Sequence, residues 1–278
     1  MEKINKLNEN LFSLKSMLQF DLPIVIAVSG GVDSMTLAYA AHTEFGDNIT
    51  MVHAISPAVP PKATSRVKLY SERYSWNLTC INAGEFSDED YRKNPIDRCF
   101  YCKKNLYNTI TMKFPDHVIC SGANLDDLAD YRPGLLAAEE CNVIHPFVEA
   151  GLYKSEIREL ALYFGLDEVA SLPSAPCLSS RIETGRRIDP NELTMVDKIE
   201  TVLREIYRPK TVRCRVRENA VIIEFDKATM LRLDKQTKKH IHGSVLSIIS
   251  SYNCDRVVSI ETYQMGSAFV HKKNICST

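Results

Sequence analysis

The chain of 278 residues carries 34 lysines and arginines against 35 aspartates and glutamates, a formal net charge of -1, with 45% hydrophobic and 25% charged residues. That balance suits a globular protein of one large or two modest domains and counts against a large, electrostatically driven nucleic-acid surface. No stretch reaches the ~20 apolar residues of a membrane span, and the mixed-charge amphipathic start MEKINKLNENLFSLKSMLQF lacks the features of a signal peptide, so the reading is cytoplasmic, with no membrane partner.

Through the first two thirds, β-branched runs alternate with helical periodicity. PIVIAVS, Pro23 to Ser29, suits a buried parallel strand. After a glycine turn, DSMTLAYAAHTEF sets Met35, Leu37, Ala38, Ala41 and Phe45 on one helical face. ITMVHAIS, Ile49 to Ser56, is the second strand; KATSRVKLYSERYSW is a helix after the Pro60-Pro61 start, and NLTCIN the third strand. A helix around Lys103 to Phe114 leads to the fourth strand, HVICSGA, His117 to Ala123. The alternation predicts an α/β fold with a doubly wound parallel sheet, whose ligands gather at the carboxyl ends of the strands. SLPSAPCLSSRIETGRRIDP, Ser171 to Pro190, breaks the periodicity and reads as a long functional loop. Beyond it NELTMVDKIETVLREIY is helical, TVRCRVRE and AVIIEF pair as strands around Glu218-Asn219, and a helix near Lys238 to Tyr252 precedes the strand RVVSIETY. The expected organisation is a first domain over 1–188 and a smaller α+β domain over 189–278.

AVSGGVDSM joins the first strand to its helix. Gly30 and Gly31 can take positive φ and bring backbone amides close to a ligand. With the helix N-terminus behind them, those amides make an anion site. Ser29 and Ser34 add hydroxyl donors, and Asp33 can hold a magnesium ion that bridges phosphate oxygens. No GxxxxGK[ST] is present, so this is not the P-loop with a lysine on the terminal phosphates.

The nine cysteines are odd in number and have no disulfide-framework spacing. Cys80, Cys120 and Cys214 stand in apolar runs and read as small buried hydrophobes. Cys141, Cys254 and Cys276 have no partner pattern. DRCFYCKKN differs: Cys99 and Cys102 are three apart, on one side of a tight turn or a first helical turn. Cys177, in APCLSSRIETG, is a proline-flanked cysteine in a polar segment that can meet them. Three thiolates can hold a cubane iron–sulfur cluster with one iron open. Zinc with His145 as a fourth ligand, a redox CxxC pair and unpaired thiols are the alternatives.

At Ser29 to Ser34 the chain resembles the PP-loop ATP pyrophosphatases, whose motif is SGGxDS. The resemblance implies ATP bound with its pyrophosphate in this loop, and transfer of AMP to a substrate oxygen that a nucleophile then displaces. NPIDRCFYCKKNLY, SGANLDDLADYRPGLLAAEE, PFVEAGLYKSEIRELALYFGL and PCLSSRIETGRRI together resemble the LarE family over roughly residues 20 to 225. That likeness implies an ATP-dependent sulfur transferase acting on a small-molecule nucleotide, pyridinium-3,5-biscarboxylic acid mononucleotide, in nickel-pincer cofactor synthesis. Such a protein adenylates a carboxylate and replaces it by thiocarboxylate. The family has a one-cysteine form that gives up its own sulfur and a three-cysteine form with a 4Fe–4S cluster. Cys99, Cys102 and Cys177 match the second, with an open iron carrying the sulfur and Cys177 as third ligand. Homo-oligomerisation is implied as well. The sequence does not identify the sulfide donor.

Further candidates follow the motifs. Gly122, Asn124, Asp126, Asp127 and Asp130 close the fourth strand and face a nucleotide or its metal; Asn124 is equally a helix N-cap. His53 packs near the adenine. Arg132 suits a phosphate. Ser180 and Arg181, beside Cys177, suit a substrate carboxylate or phosphate, and Arg181 is alternatively a structural ion pair. Arg213, Arg215 and Arg217 share one strand face. The LarE likeness turns them toward an anionic substrate, with Glu224 on the neighbouring strand as partner. Two other readings keep the ATP loop: an iron–sulfur tRNA-thiolation enzyme, which the net charge disfavours, and an ammonia-using synthetase, which has no need of three cysteines. A non-catalytic nucleotide-binding or metal-binding protein is disfavoured by the intact loop.

Overall fold

A computed structural model describes residues 2–129, 132–174 and 176–264. The chain forms two compact units, Met1–Asp88 with Asp97–Ala175, and Glu89–Ile96 with Pro176–Thr278. The expected 188/189 boundary therefore differs from the observed one, which sends 176–188 and the short segment 89–96 to the second unit. The physical reason is local hydrogen bonding. The Asn94 side-chain amide donates to the Glu183 carbonyl at 2.8 Å, the Gly185 amide donates to the Asn94 carbonyl at 2.8 Å, and the Ile188 amide to the Arg92 carbonyl at 2.9 Å. Asp130 and Cys276 lie outside the described residues.

In the first unit the β-branched runs become β1 (Ile24–Ala27), β2 (Ile49–Ala54), β3 (Asn77–Ile81) and β4 (Val118–Ser121), all parallel, in the order β3-β2-β1-β4. All four residues of β1 are buried, because helices cover both faces of the sheet. The period of two divides them. Ile24 and Ile26 join Met35, Leu37, Leu160 and Ala161 in one core, with the helices Val32–Phe45 and Lys154–Tyr163. Val25 and Ala27 join Tyr107, Ile110 and Ala138 in the other, with Arg98–Lys113 and Pro133–Glu140. The order places β1 and β4 side by side although β2 and β3 intervene in sequence. This is the topological switch point, the place where open α/β sheets bind their ligands.

Cys120 and Cys214 are buried as expected, and burial pushes the Cys120 thiol up to about 12. Cys80 corrects the expectation. It is exposed, because β3 is the edge strand and only Ile81 of its five residues is buried.

The second unit holds β5 (Val212–Val216), β6 (Ala220–Phe225) and β7 (Val257–Thr262). β5 and β6 are antiparallel, as the paired runs around Glu218-Asn219 imply, and β7 is parallel to β6. The helices Pro190–Tyr207 and Lys235–Ser251 contact each other and this sheet. Leu193, Val196, Ile199 and Leu203 make the buried stripe of the first of these.

His53 is 1% exposed on β2. Its Nδ1 lies 2.7 Å from the Val28 carbonyl, which only accepts, so Nδ1 carries the proton and Nε2 accepts the Thr64 hydroxyl at 2.9 Å. Its role is thus to tie the end of β1 to the helix Pro61–Tyr74. Burial lowers its pKa below the ordinary 6.5. The unfolded chain takes up a proton near that pH which folded His53 refuses. Its contribution to stability is therefore present above 6.5 and lost as the pH falls toward the lower folded value. Urea midpoints measured from pH 7.5 to 5 should fall more steeply for the wild type than for His53→Gln.

Candidate functional site

The turn after β1 is built by contacts that leave no room for side chains. Gly30 has φ +80°, and a Cβ there would lie 2.8 Å from the Ala63 carbonyl oxygen. Both facts require glycine. The Arg66 guanidinium donates to the Gly30 carbonyl at 2.7 Å, so the helix Pro61–Tyr74 pins the turn from one side. Gly31 is the N-cap of Val32–Phe45 and has no side-chain cap. The Ser29 amide donates to Ser34 Oγ at 3.1 Å, the two hydroxyls are 3.1 Å apart, and Ser34 Oγ donates to the Gly31 carbonyl at 3.3 Å. The result is a short concave loop at the start of a helix. It combines backbone amides, two hydroxyls and the dipole end in the arrangement that anions favour.

β4 closes this loop from the other side. A Cβ on Gly122 would come within 2.8 Å of the Ser34 amide nitrogen and 2.9 Å of the Asp33 carbonyl carbon. Asn124 caps the next turn: its side chain accepts from the Asp126 amide at 3.0 Å, and its own amide donates to the Asp127 carboxylate at 3.1 Å. Asn124 is fully buried, and its Nδ2 also reaches Asp33 Oδ1 at 3.4 Å. The cap and ligand readings of Asn124 thus describe one side chain that does both. Asp127 pairs with Arg132 at 2.8 Å. Asp33 carries its second oxygen to the Lys154 ammonium at 2.8 Å, a partner that sequence reasoning passed over. Ser29, Gly30, Gly31, Asp33, Ser34, Gly122, Asn124 and Asp127 are therefore brought together. His53 stands behind them as a tie between β1 and the helix Pro61–Tyr74, rather than as an exposed contact.

Cys99 lies in the first turn of the helix Arg98–Lys113 and Cys102 opens its second, so the helix starts ahead of the expected Lys103. Cys99 is exposed and Cys102 half-buried. The helix end suits thiolates. Lys103 follows them with its ammonium 5.5 Å from the Tyr107 ring centre. Tyr107, and then the two cysteines, raise the Lys103 pKa. His145 places Nδ1 2.9 Å from Ser121 Oγ, and burial, then Lys103, lowers its pKa. Among the described residues, no group of three or more His, Cys, Asp or Glu side chains is arranged to hold a metal ion. Cys99 and Cys102 belong to the first unit and Cys177 to the second.

In the second unit, two arginine–glutamate pairs hold the Cys177 loop. Arg181 is 2% exposed and Glu200 fully buried. The guanidinium makes two bonds to Glu200, at 2.9 and 3.1 Å. It also donates to the Pro176 carbonyl at 2.7 Å, the Cys177 carbonyl at 3.1 Å and Ser180 Oγ at 3.0 Å. Burial acts to raise the Glu200 carboxyl. Arg181, followed by Arg204, outweighs it, and the pKa lies below the ordinary range. Of the two readings made for Arg181, the structure shows the ion pair, with Glu200. Its buried bonds position Cys177.

Arg215, on β5, pairs with Glu224 of β6 at 3.0 Å and donates to the Ser180 carbonyl at 2.8 Å. Ser180 Oγ donates to the Cys177 carbonyl at 2.8 Å. Arg213 shares that sheet face and is half-buried. Burial, then the like charge of Arg181, lowers its pKa to about 10. Cys177 itself is half-buried at the head of the short turn Leu178–Arg181. Glu200 and Ser179 are members of this structure that sequence reading missed; the Ser179 hydroxyl lies 2.6 Å from that of buried Tyr91. Glu200 left a signal, a carboxylate inside the apolar stripe of its helix.

Gly122→Ala should cost about 1–3 kcal/mol, because its Cβ meets backbone rather than a movable side chain, and should weaken nucleotide binding; chemical denaturation and calorimetry read both. Glu200→Ala leaves the buried Arg181 guanidinium and the Cys214 amide unpaired. It should destabilise the chain by about 3–5 kcal/mol in denaturant titration.

No family model matches the chain. It is 32% identical over 203 residues to an uncharacterised protein of Synechocystis, covering 72% of this chain and 75% of that one. It is 29% identical over 209 residues to the pyridinium-3,5-bisthiocarboxylic acid mononucleotide synthase of Lactiplantibacillus plantarum, covering 74% of this chain and 75% of that one. It is 24% identical over 204 residues to one subunit of the glutamine-hydrolysing GMP synthase of Methanopyrus kandleri, covering 66% of this chain and 63% of that one. A glycine loop at the β1/β4 switch point, a CxxC helix start and these relatives agree, and the chain belongs to the LarE family within the PP-loop ATP pyrophosphatase superfamily.

Proposed function

We propose that this protein is an ATP-dependent sulfur transferase. It would adenylate a carboxylate of pyridinium-3,5-biscarboxylic acid mononucleotide and convert it to a thiocarboxylate, a step of nickel-pincer cofactor synthesis. The observation that carries this reading is the Ser29–Ser34 loop packed against Gly122. The name of the Lactiplantibacillus relative supports the substrate.

The loop amides and the Ser29 and Ser34 hydroxyls bind the pyrophosphate end of ATP, leaving the α-phosphorus at the mouth of the crevice. Asp33 offers carboxylate oxygens to a magnesium ion, the hard donor that ion requires. A substrate carboxylate oxygen attacks the α-phosphorus and pyrophosphate leaves. Sulfur then attacks the acyl carbon, AMP leaves with the carboxylate oxygen, and thiocarboxylate remains. Arg213 and Arg215 suit the anionic substrate. The Arg213 guanidinium is half-buried beside the like charge of Arg181, and an arriving anion would offset both.

Cys99, Cys102 and Cys177 fit a 4Fe–4S cluster by chemistry. All three are at least partly accessible, whereas burial drives the Cys120 and Cys214 thiols away from ionisation. When bound, such a cluster supplies an open iron for a transferable sulfur. The chain's own part is to fix Cys177 through Arg181 and Ser180. The similarity to GMP synthases favours a second reading, an ammonia-using synthetase.

Iron and acid-labile sulfide per chain, after anaerobic reconstitution, test the proposal. About four irons in the wild type, much reduced in Cys177→Ala, are expected. Zinc, or no metal, would overturn the cluster and leave sacrificial loss of the Cys177 sulfur, visible as a mass decrease after turnover. Activity spared in Cys177→Ala would favour the ammonia reading.

A further inference from the structure

Ile144 forms a parallel bridge with Cys120 of β4, and the Ser121 amide donates to the Ile144 carbonyl at 3.0 Å. The bridge carries the chain alongside β4, so His145 stands beside Ser121 at the carboxyl edge of the sheet, where such folds hold their ligands. Ser121 is buried, and its hydroxyl makes one bond among the described residues, to His145 Nδ1 at 2.9 Å. A buried hydroxyl hydrogen needs an acceptor. Nδ1 is therefore that acceptor, and the neutral ring carries its proton on Nε2. This Nε2–H has no acceptor among the described residues. Two charged groups of the first unit act on the ring: Asp127, from the turn that closes the glycine loop, and Lys103, from the CxxC helix. Burial, then Lys103, lowers the His145 pKa against the opposite pull of Asp127, which favours the neutral form. A neutral imidazole with a fixed tautomer is a directed hydrogen-bond donor rather than a cation.

We propose that His145 is a catalytic hydrogen-bond donor whose Nε2–H holds the acyl oxygen of the substrate. The inference deepens the sulfur-transfer reading above and rests on it. In that reaction the carboxylate meets the nucleotide at the glycine loop and sulfur at the CxxC helix, and His145 has a charged neighbour from each side. One carboxylate oxygen attacks the α-phosphorus. The other offers a lone pair to Nε2–H and becomes the acyl oxygen of the adenylate. When hydrosulfide adds, the C–S bond forms with the electron pair of sulfur, and the carbonyl pair moves onto this oxygen. Collapse returns the pair, the bond from carbon to the AMP oxygen breaks, the sulfur proton passes to water, and thiocarboxylate remains. Negative charge on the acyl oxygen is greatest in the tetrahedral adduct, so the bond from Nε2 is strongest there and lowers that barrier most. Ser121 fixes the tautomer that makes this possible.

Two measurements on the full, reconstituted chain test this with wild type, His145→Ala and His145→Gln. Exchange of labelled pyrophosphate into ATP, with pyridinium-3,5-biscarboxylic acid mononucleotide present, reads adenylation. Single-turnover formation of thiocarboxylate with added hydrosulfide reads the sulfur step. His145→Ala should slow thiocarboxylate formation about 100-fold and leave the exchange close to that of the wild type. Glutamine places an amide hydrogen near the position of Nε2–H, so His145→Gln should recover most of the loss. Wild-type sulfur transfer in His145→Ala would overturn the inference, as would a glutamine variant as slow as the alanine one, or loss of exchange in both. Loss of bound metal in both variants would make His145 a metal ligand and overturn it too. A wild type with neither exchange nor thiocarboxylate would instead overturn the sulfur-transfer reading itself.

Discussion

The close approach of Gly122 to the backbone of Asp33 and Ser34 is the constraint on which the first unit's chemistry depends. Strands β1 and β4 are neighbours in the sheet but far apart in sequence, and their ends must share one small space. Only a residue without a side chain lets the β4 turn reach the first turn of the helix Val32–Phe45. Once there, Asn124 reaches Asp33, and the start of the helix Lys154–Tyr163 follows through Leu125 and Asp126. Three separate stretches of chain, around Ala63, Gly122 and Lys154, thereby meet around one loop. A site made in this way is held by backbone packing together with side-chain ties from Arg66, Asn124 and Lys154, which favours a geometry set before any ligand arrives.

The second unit solves a similar problem with charge. The loop is rich in proline and serine and buries only a few apolar side chains, Leu178, Ile182 and Ile188 among them, so apolar packing alone is a thin anchor for it. Arg181 and Arg215 instead hold the carbonyls of Pro176, Cys177 and Ser180, and each arginine is in turn held by a buried glutamate. Breaking such a pair is costly because the remaining charge is stranded away from water. Side-chain position at Cys177 is thus coupled to the packing of the helix Pro190–Tyr207, whose apolar face Glu200 interrupts.

Much of this was legible in the residues. Continuous β-branched runs marked the buried strands, and the paired glycines with flanking serines marked the loop, because the backbone conformations and close contacts needed there admit few other residues. The distinction between Cys120 or Cys214 and the three polar-context cysteines also followed from local composition. Other features depended on tertiary neighbours. Cys80 was exposed because its strand lay at the sheet edge, a matter of strand order. The helix Lys154–Tyr163 gave no separate signal of its role, since Lys154 gained its meaning only from Asp33. The unit boundary lay ahead of the expected position because Gly185 and Ile188 found their partners in residues 92 and 94, a pairing that no local pattern encodes.

The short segment Glu89–Ile96 also bears on how the chain is made. It is synthesised inside the sequence of the first unit, yet Asn94 and Arg92 wait for Glu183, Gly185 and Ile188 before their hydrogen bonds can form. During vectorial synthesis the polypeptide must therefore carry this piece unsatisfied past the whole of Asp97–Ala175. The second unit cannot be released as a simple C-terminal fragment either, since its inner strip is encoded upstream of the CxxC helix. Non-local closure of this kind slows folding and couples completion of one unit to chain already folded in the other. A nascent chain whose first 180 residues have emerged would hold the glycine loop with its partners Ala63, Arg66, Gly122 and Lys154, and the Cys177 turn without Glu200 and Arg215.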